Sequence, residues 1–588
     1  MIRMNPGAIV IALGVVIAVG PPAHADLIGS AEGPAQKLRT VFQSYWDDEM
    51  RADPLTATYN GDHRFNDRLA DPSVAAHDRR LEQIRATRAA LDAIPPDSLN
   101  EQDRLDREVL IYSLDDRLAG ERFRGHLIPF TQQEGLPLQF AQSVNFHPIA
   151  TIGDAENYLR RLRAFPEAVD RTIAVMRAGM AAKVVPPRVS MAKTLPQLRA
   201  VAAGEPEASP LYELALRLPE SWGEADRGRV RDEVKRAVAE SVSPAYRRLA
   251  DFVESEYLPA CRDEVGLRSA IDGEAHYAYL ARSFTTLPLT PDAIHAIGLE
   301  EIARTRSEMD AIRLRLGVPG ELDAFLAQLR SDPQRRGRDE ASLLAGYREI
   351  LSRVDARLPD LFGRLPRTDY GIKAIEAYRA RSAPGGYYYP PPDDGSRPGY
   401  FYVNVSDPQD RTTYSMPALA FHEAVPGHHL QIALAMEVQG RPAFRKFGYF
   451  PAFGEGWGLY AEGLPREVGL ATDPYSELGR LQYNAWRSAR LVVDTGMHHL
   501  GWTRDRAIAY LEANTAMPRI EVESEVDRYI AWPGQALAYK IGEREIRSIR
   551  AEVEKKLGPR FDIRAFHDRL LSQGSLPLGL LRRRMIEK

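Results

Sequence analysis

The sequence predicts a mainly α-helical protein with a small β-sheet or hairpin next to a histidine-bearing helix. Three observations lead there. Apolar residues recur at helical spacing along most of the chain, with charged residues between them. One stretch, Pro384 to Val405, instead sets aromatic and β-branched runs around a Gly/Pro turn. Just downstream, three of the 13 histidines fall within eight residues: His422, His428 and His429.

Taken in order, the helical pattern predicts helices over Leu38–Met50, Ala76–Ile94, Asn157–Met180 and Ala225–Glu256, then over Pro291–Leu314, Glu340–Leu358, Arg504–Asn514 and Gln535–Leu557. Boundary chemistry supports the breaks. Ile94-Pro95-Pro96-Asp97 reads as a helix stop, and Thr290-Pro291-Asp292 as a helix start. The strand-like run has an edge that would hold an extended peptide by main-chain hydrogen bonds, or would simply pack the core. A soft boundary is expected near residues 260 and 261. Residues 26–260 would form helices that wall a cleft, and residues 261–588 would carry the chemistry.

Composition narrows the classes. A formal net charge of −4, with both signs interspersed, gives no pull toward nucleic acid or anionic membrane. The N-terminus has Arg3, an apolar run from Ala8 to Val19 and then Ala23-His24-Ala25. That order is the pattern of a cleavable export signal over residues 1–25, cut before Asp26. No second long apolar run follows, so no stable membrane insertion is expected after cleavage. The single cysteine, Cys261, excludes an intramolecular disulfide and a Cys-based metal site. Export without disulfides points to a bacterial periplasm or to secretion.

The chemistry concentrates at His422-Glu423-Ala-Val-Pro-Gly-His428-His429. A short H-E-x-x-H motif places two His one helical turn apart on a zinc ion, with the Glu as general base. Here the spacing is longer. In a regular helix, position i+6 lies about 120° around the axis and i+7 lies ~10 Å along it. Zn–N bonds of ~2.0–2.1 Å need the ring nitrogens within roughly 4 Å of each other. Pro426 and Gly427 supply a deformation, and a bulge there is expected to bring His428 to the second ligand position. Glu455 and Glu462 lie seven apart in an apolar, Gly-rich setting. One would bind metal and the other would hold a His N–H.

The late segment Arg528-Tyr529-Ile-Ala-Trp-Pro-Gly-Gln535 continues to Tyr539. Tyr529 and Tyr539 are candidate oxyanion donors. Arg528 would meet a substrate carboxylate, with His429 and Gln535 as further substrate contacts. Asp494 and His498, one turn apart, would orient metal ligands or form a structural pair.

With those residues in view, the chain resembles the bacterial DUF885 family, which is similar to gluzincin metallopeptidases. The likeness runs through Asp53–His63, Gly273-Glu-Ala-His-Tyr277 and Leu289-Thr-Pro-Asp292, then Phe421–Gln431, Glu455-Gly-Trp457 and Arg528-Tyr529. The chain is also distantly similar to helical oligopeptidases and metallocarboxypeptidases. Those use H-E-x-x-H, a downstream ligand Glu and a second Glu seven later. The resemblance implies a helical, zincin-like bowl with a deep cleft. It implies one Zn²⁺ per chain on His422, His428 and Glu455, with Glu423 as the base and a late Tyr at the oxyanion. The His spacing is two residues longer than in those families, so His428 and His429 both stay open as the second ligand. The late motif lacks its aromatic part, so Tyr529 and Tyr539 both stay open. The expected activity is hydrolysis of short peptides. The alternatives are a zinc amidase or acyl hydrolase, or a non-catalytic binding protein on the same fold.

Overall fold

In the computed structural model, residues 33–375, 380, 384–391 and 397–587 are described. The expected export signal and cleavage site, and residues 392–396 of the expected Gly/Pro turn, lie outside the described residues. The architecture is helical with one three-stranded sheet. The helices that matter below are α1 (Val74–Asp92), α2 (Glu101–Gly120), α3 (Gly273–Thr285) and α4 (Pro291–Arg315). After the sheet come α5 (Met416–Glu423), α6 (His428–Met436), α7 (Pro451–Ala461), α8 (Pro474–His498), α9 (Arg519–Ala531) and α10 (Ala538–Leu557).

Helix starts follow the local chemistry. The Thr290 hydroxyl accepts from the Ala293 N–H and Pro291 fills the first helical position of α4. Asp473 accepts from the Tyr475 and Ser476 N–H groups ahead of α8, again with Pro next. Asn100 caps α2 through the Asp103 N–H. Each cap satisfies donors that a helix start leaves open.

The sheet consists of β1 (Tyr370–Ala374), β2 (Gly386–Tyr389) and β3 (Gly399–Val403), in the order β1-β3-β2. β2 and β3 form the expected antiparallel pair, with Tyr389 opposite Tyr400. β1 adds in parallel, with Ile372 opposite Phe401. Along β3 the pleat turns Gly399, Phe401 and Val403 inward, and Phe401 and Val403 join the main core. β2 is an edge among the described residues and packs on α5.

One hydrophobic cluster takes Leu55 and residues between Phe130 and Cys261. The largest cluster joins Leu38–Leu114 to residues from Leu343 to Met585. A third surrounds α8, between Ile302 and Ala536. The segments that supply Leu38, Phe42 and Ile84 to Leu114 therefore pack on the later part of the chain, Leu343 to Met585, whereas Leu55 packs with the cluster between Phe130 and Cys261. None of the described helices is long and apolar enough to cross a membrane.

Candidate metal centre

His422 and Glu423 sit at the end of α5, and His428 is the first residue of α6. The expected bulge inside one helix is instead a break between two helices. Ala424 leaves the helical region (φ −99°, ψ −105°), the Val425–Pro426 peptide is cis, and Gly427 is neither helical nor extended (φ −79°, ψ −126°). Only glycine fits there. A Cβ on residue 427 would lie 2.0 Å from the His422 carbonyl oxygen and 2.4 Å from that of Phe421. The fully buried Trp457 of α7 fixes the break: its indole N–H donates to the Pro426 carbonyl at 2.9 Å.

The break folds the motif back on itself. The rings of His422 and His428 meet edge to face, 4.7 Å apart. His422, Glu423 and His428 each offer one donor atom within 4.8 Å of the others. Glu455 approaches from α7. Its Oε2 lies 3.4 Å from His422 Nε2 and 3.5 Å from His428 Nε2. Donors ~2.0–2.2 Å from one tetrahedral zinc are separated by roughly 3.3–3.6 Å, so these separations fit. Glu423 and Glu455 thus both stand near the imidazoles, and Glu455 has the closer fit to a ligand edge.

Glu462, seven residues on, accepts from His422 Nδ1 at 3.0 Å, which turns Nε2 toward Glu455. Gly458 lets α7 come this close, because a Cβ there would lie 2.6 Å from His422 Cε1. His428 Nδ1 is buried with no hydrogen-bond partner. The donor set of two imidazoles and a carboxylate is one that suits zinc.

Electrostatics follow the geometry. Burial would lower His422, but Glu455 and Glu462 outweigh it and lift the metal-free imidazole to about 9. Burial would raise Glu455, but hydrogen bonds from His422 and His428 hold its carboxyl well below the usual range. Glu423 accepts no such bonds, and burial raises its carboxyl. The two acids therefore differ: one is held ionised and the other is ready to take a proton.

Two tyrosines face this cluster. Tyr539 on α10 lies beside Glu455. Tyr449, which precedes α7 and went unnoticed in the sequence, hydrogen-bonds Glu455 and lies near Glu423 and Tyr539. The residue as a whole is 46% exposed, but the tip of its ring packs over Gly454 and its hydroxyl is buried against Glu455.

The other expected residues stand elsewhere. His429 does not point at the cluster. Its Nδ1 pairs with the Tyr388 hydroxyl at 2.9 Å, its ring lies 4.7 Å from that of Tyr370, and it bonds the Thr368 backbone, so it anchors the sheet to α6. Tyr529 is fully buried. It donates to Glu525 at 2.6 Å and accepts from Trp486 and Arg490. It has no proton left for a substrate.

Arg528 is held by Glu525 at 2.8 Å and by Gln535 at 2.7 Å, so it is not a free receptor for a carboxylate, and Gln535 serves it. Glu525 was the unread residue: Arg528, Arg490 and Tyr529 converge on it and, against burial, bring its carboxyl down to about 2. Asp494 accepts from the Tyr277 hydroxyl and the Gly534 N–H, and His498 bridges the Leu267 N–H and the Tyr529 carbonyl. Both brace the 529–534 segment and touch neither His422 nor His428.

A cavity of about 730 Å³ lies apart from the cluster, with none of His422, Glu423, His428 or Glu455 in its wall. Its basic side chains are matched by acids, as in Arg480 with Glu477 and Arg547 with Glu543.

The fold is thus helical with a small sheet, and its buried His-Glu cluster is a group that could hold a metal ion. The chain belongs to DUF885, a family of bacterial proteins of unknown function, which it matches over residues 54–585. No curated protein matches it. The crystal structure of a "putative lipoprotein" from Colwellia psychrerythraea is similar at 28% identity and a TM-score of 0.90, over 94% of this chain and 98% of that one. A "putative lipoprotein of unknown function" from Shewanella oneidensis shares the fold at 20% identity and a TM-score of 0.70, over 94% and 100%. Metallocarboxypeptidase 1 of Trypanosoma cruzi aligns at 13% identity and a TM-score of 0.35, over 94% and 96%, a likeness too slight to support an assignment.

Proposed function

We propose that the protein is an exported zinc-dependent hydrolase of short peptides. The observation that carries this reading is the convergence of His422, His428 and Glu455 with Glu423 beside them. His422, His428 and Glu455 would hold the metal. Zinc, when bound, supplies Lewis acidity toward a carbonyl and makes a water more acidic.

The chain's own groups do the rest. Glu423, raised by burial, takes the proton of the attacking water and passes it to the leaving amine. The hydroxyl of Tyr539 stands beside Glu455, where it can donate to a carbonyl oxygen as it gains charge, while the Tyr449 hydroxyl is spent on Glu455. Glu462 fixes the orientation of His422. The outer edge of β2 would take an extended substrate in register. Export is supported by the signal-like N-terminus and by the descriptions of the two similar structures as lipoproteins.

The test uses zinc-loaded protein and a library of short peptides read by mass spectrometry. Wild type should cut peptides. Glu423→Gln should keep its zinc and lose ~10²–10⁴-fold in rate. Cleavage retained in that variant removes Glu423 as the base. No cleavage of any peptide by the loaded wild type removes the peptidase reading, and turnover of small amides alone moves it to an amidase.

A further inference from the structure

A second group of metal-ligating side chains lies far along the chain from the first. His77 sits in the first turn of α1, and Glu121 directly follows α2. His126 lies in the single helical turn Gly125–Leu127. The three side chains each offer one donor atom within 4.8 Å of the others, and all are partly buried. His77 Nε2 is 2.8 Å from Glu121 Oε2, and the rings of His77 and His126 stack 3.8 Å apart. His126 makes no side-chain hydrogen bond among the described residues, so its nitrogens are spare ligands.

From this geometry we infer a second zinc site, held by His77, Glu121 and His126, with a structural role. The donor set decides the metal class. Two imidazoles and one carboxylate suit zinc and its first-row neighbours, whereas calcium and magnesium take oxygen ligands. Three protein ligands leave a fourth position for water. Binding needs the stacked rings to splay so that both lone pairs meet one point, which partly exposed side chains can do.

The position explains the role. α1 and α2 pair with each other, and the chain joins them at one end only, through residues 93–100. The three residues close the other end. The path that brings His126 back runs through Arg124, a non-glycine residue held in the left-handed region (φ 53°, ψ 37°). Backbone of that kind persists where something else fixes it. Between them, Phe123 stacks on His276 of α3, 4.4 Å away and nearly parallel. A metal here would fasten the α1–α2 pair at the point where it meets the second half of the chain.

The test is zinc stoichiometry by elemental mass spectrometry on the full chain without its signal, stripped with chelator and reloaded with zinc alone. Wild type should hold about two zinc ions, and His77→Ala with His126→Phe about one with peptide hydrolysis kept. The Phe retains a stacked ring, which guards against a folding artefact. His422→Ala should also hold about one, and added zinc should raise its melting temperature. That rise should vanish when all three changes are combined. One zinc in wild type, absent from His422→Ala and unaffected by the pair, overturns the second site. One zinc that is lost with the pair and kept in His422→Ala supports it, and instead removes the metal from the proposed catalytic centre.

Discussion

The segment 422–462 and the segment 525–539 hold the same kinds of residue, buried to a similar degree, and do opposite things with them. In the first, His422, Glu423 and His428 bring donor atoms within 4.8 Å of one another, and Glu455 reaches the Nε2 atoms of both imidazoles. In the second, Arg528, Gln535, Tyr529 and Glu525 satisfy one another. Buried polar groups are normally bonded, so a site is recognised by the valence it leaves open rather than by the groups it contains.

That contrast can be broken from either side. The largest effect is expected at Tyr539, whose hydroxyl lies beside Glu455. Tyr539→Phe should cut kcat by ~10²–10³-fold, as for a lost oxyanion donor. A rise in KM with kcat intact would place Tyr539 in substrate binding only. Next is Glu462, which holds His422 from behind. Glu462→Gln should weaken zinc binding ~10–100-fold by competition with a chelator. Unchanged affinity would mean that the His422 tautomer is set elsewhere.

On the saturated side, Tyr529→Phe should cost about 1–3 kcal/mol in denaturant unfolding, because Arg490 and Glu525 lose a buried partner. Activity per folded molecule should not change. A loss of kcat at unchanged stability would return Tyr529 to the chemistry.

The smallest effect concerns pH. Burial lifts the Asp494 carboxyl to about 7, partly offset by hydrogen bonds from Tyr277 and Gly534. Unfolded Asp ionises near ~3.9, so the folded chain holds the extra proton between the two values. The Asp494 contribution is therefore full below ~3.9 and declines as pH rises toward about 7. Asp494→Asn should flatten the dependence of melting temperature on pH over that window. An identical slope in the variant would mean that Asp494 ionises in the fold as it does in the unfolded chain.

Much of this was legible in the sequence, for reasons that also mark where legibility stops. Helices with one polar face announced themselves, as Arg504–Asn514 did. α8 did not, because Leu491 to His498 are buried on every side and leave no polar stripe there to read. β1 is five residues long and pairs with a strand nearly thirty residues on, which local pattern does not reveal.

The His and Glu positions could be read from the motif, but the way they meet could not. The break at Ala424–Gly427 depends on Trp457 and on the close approach of the Phe421 and His422 carbonyls. Tyr449 belongs to no motif and is placed by tertiary packing alone. Glu525 was within reach: it precedes Arg528 by three residues and Tyr529 by four, which are the helical spacings at which side chains pair. His429 looked equivalent to His428, yet one residue along the helix turned it to the sheet.

The most direct test of the metal centre is anomalous diffraction at the zinc edge from a zinc-soaked crystal of the protein. A peak ~2.0–2.2 Å from His422 Nε2, His428 Nε2 and a Glu455 oxygen is the expected result, with Glu423 outside the ligand set. No peak between these side chains, or one bound to His429, would contradict the account.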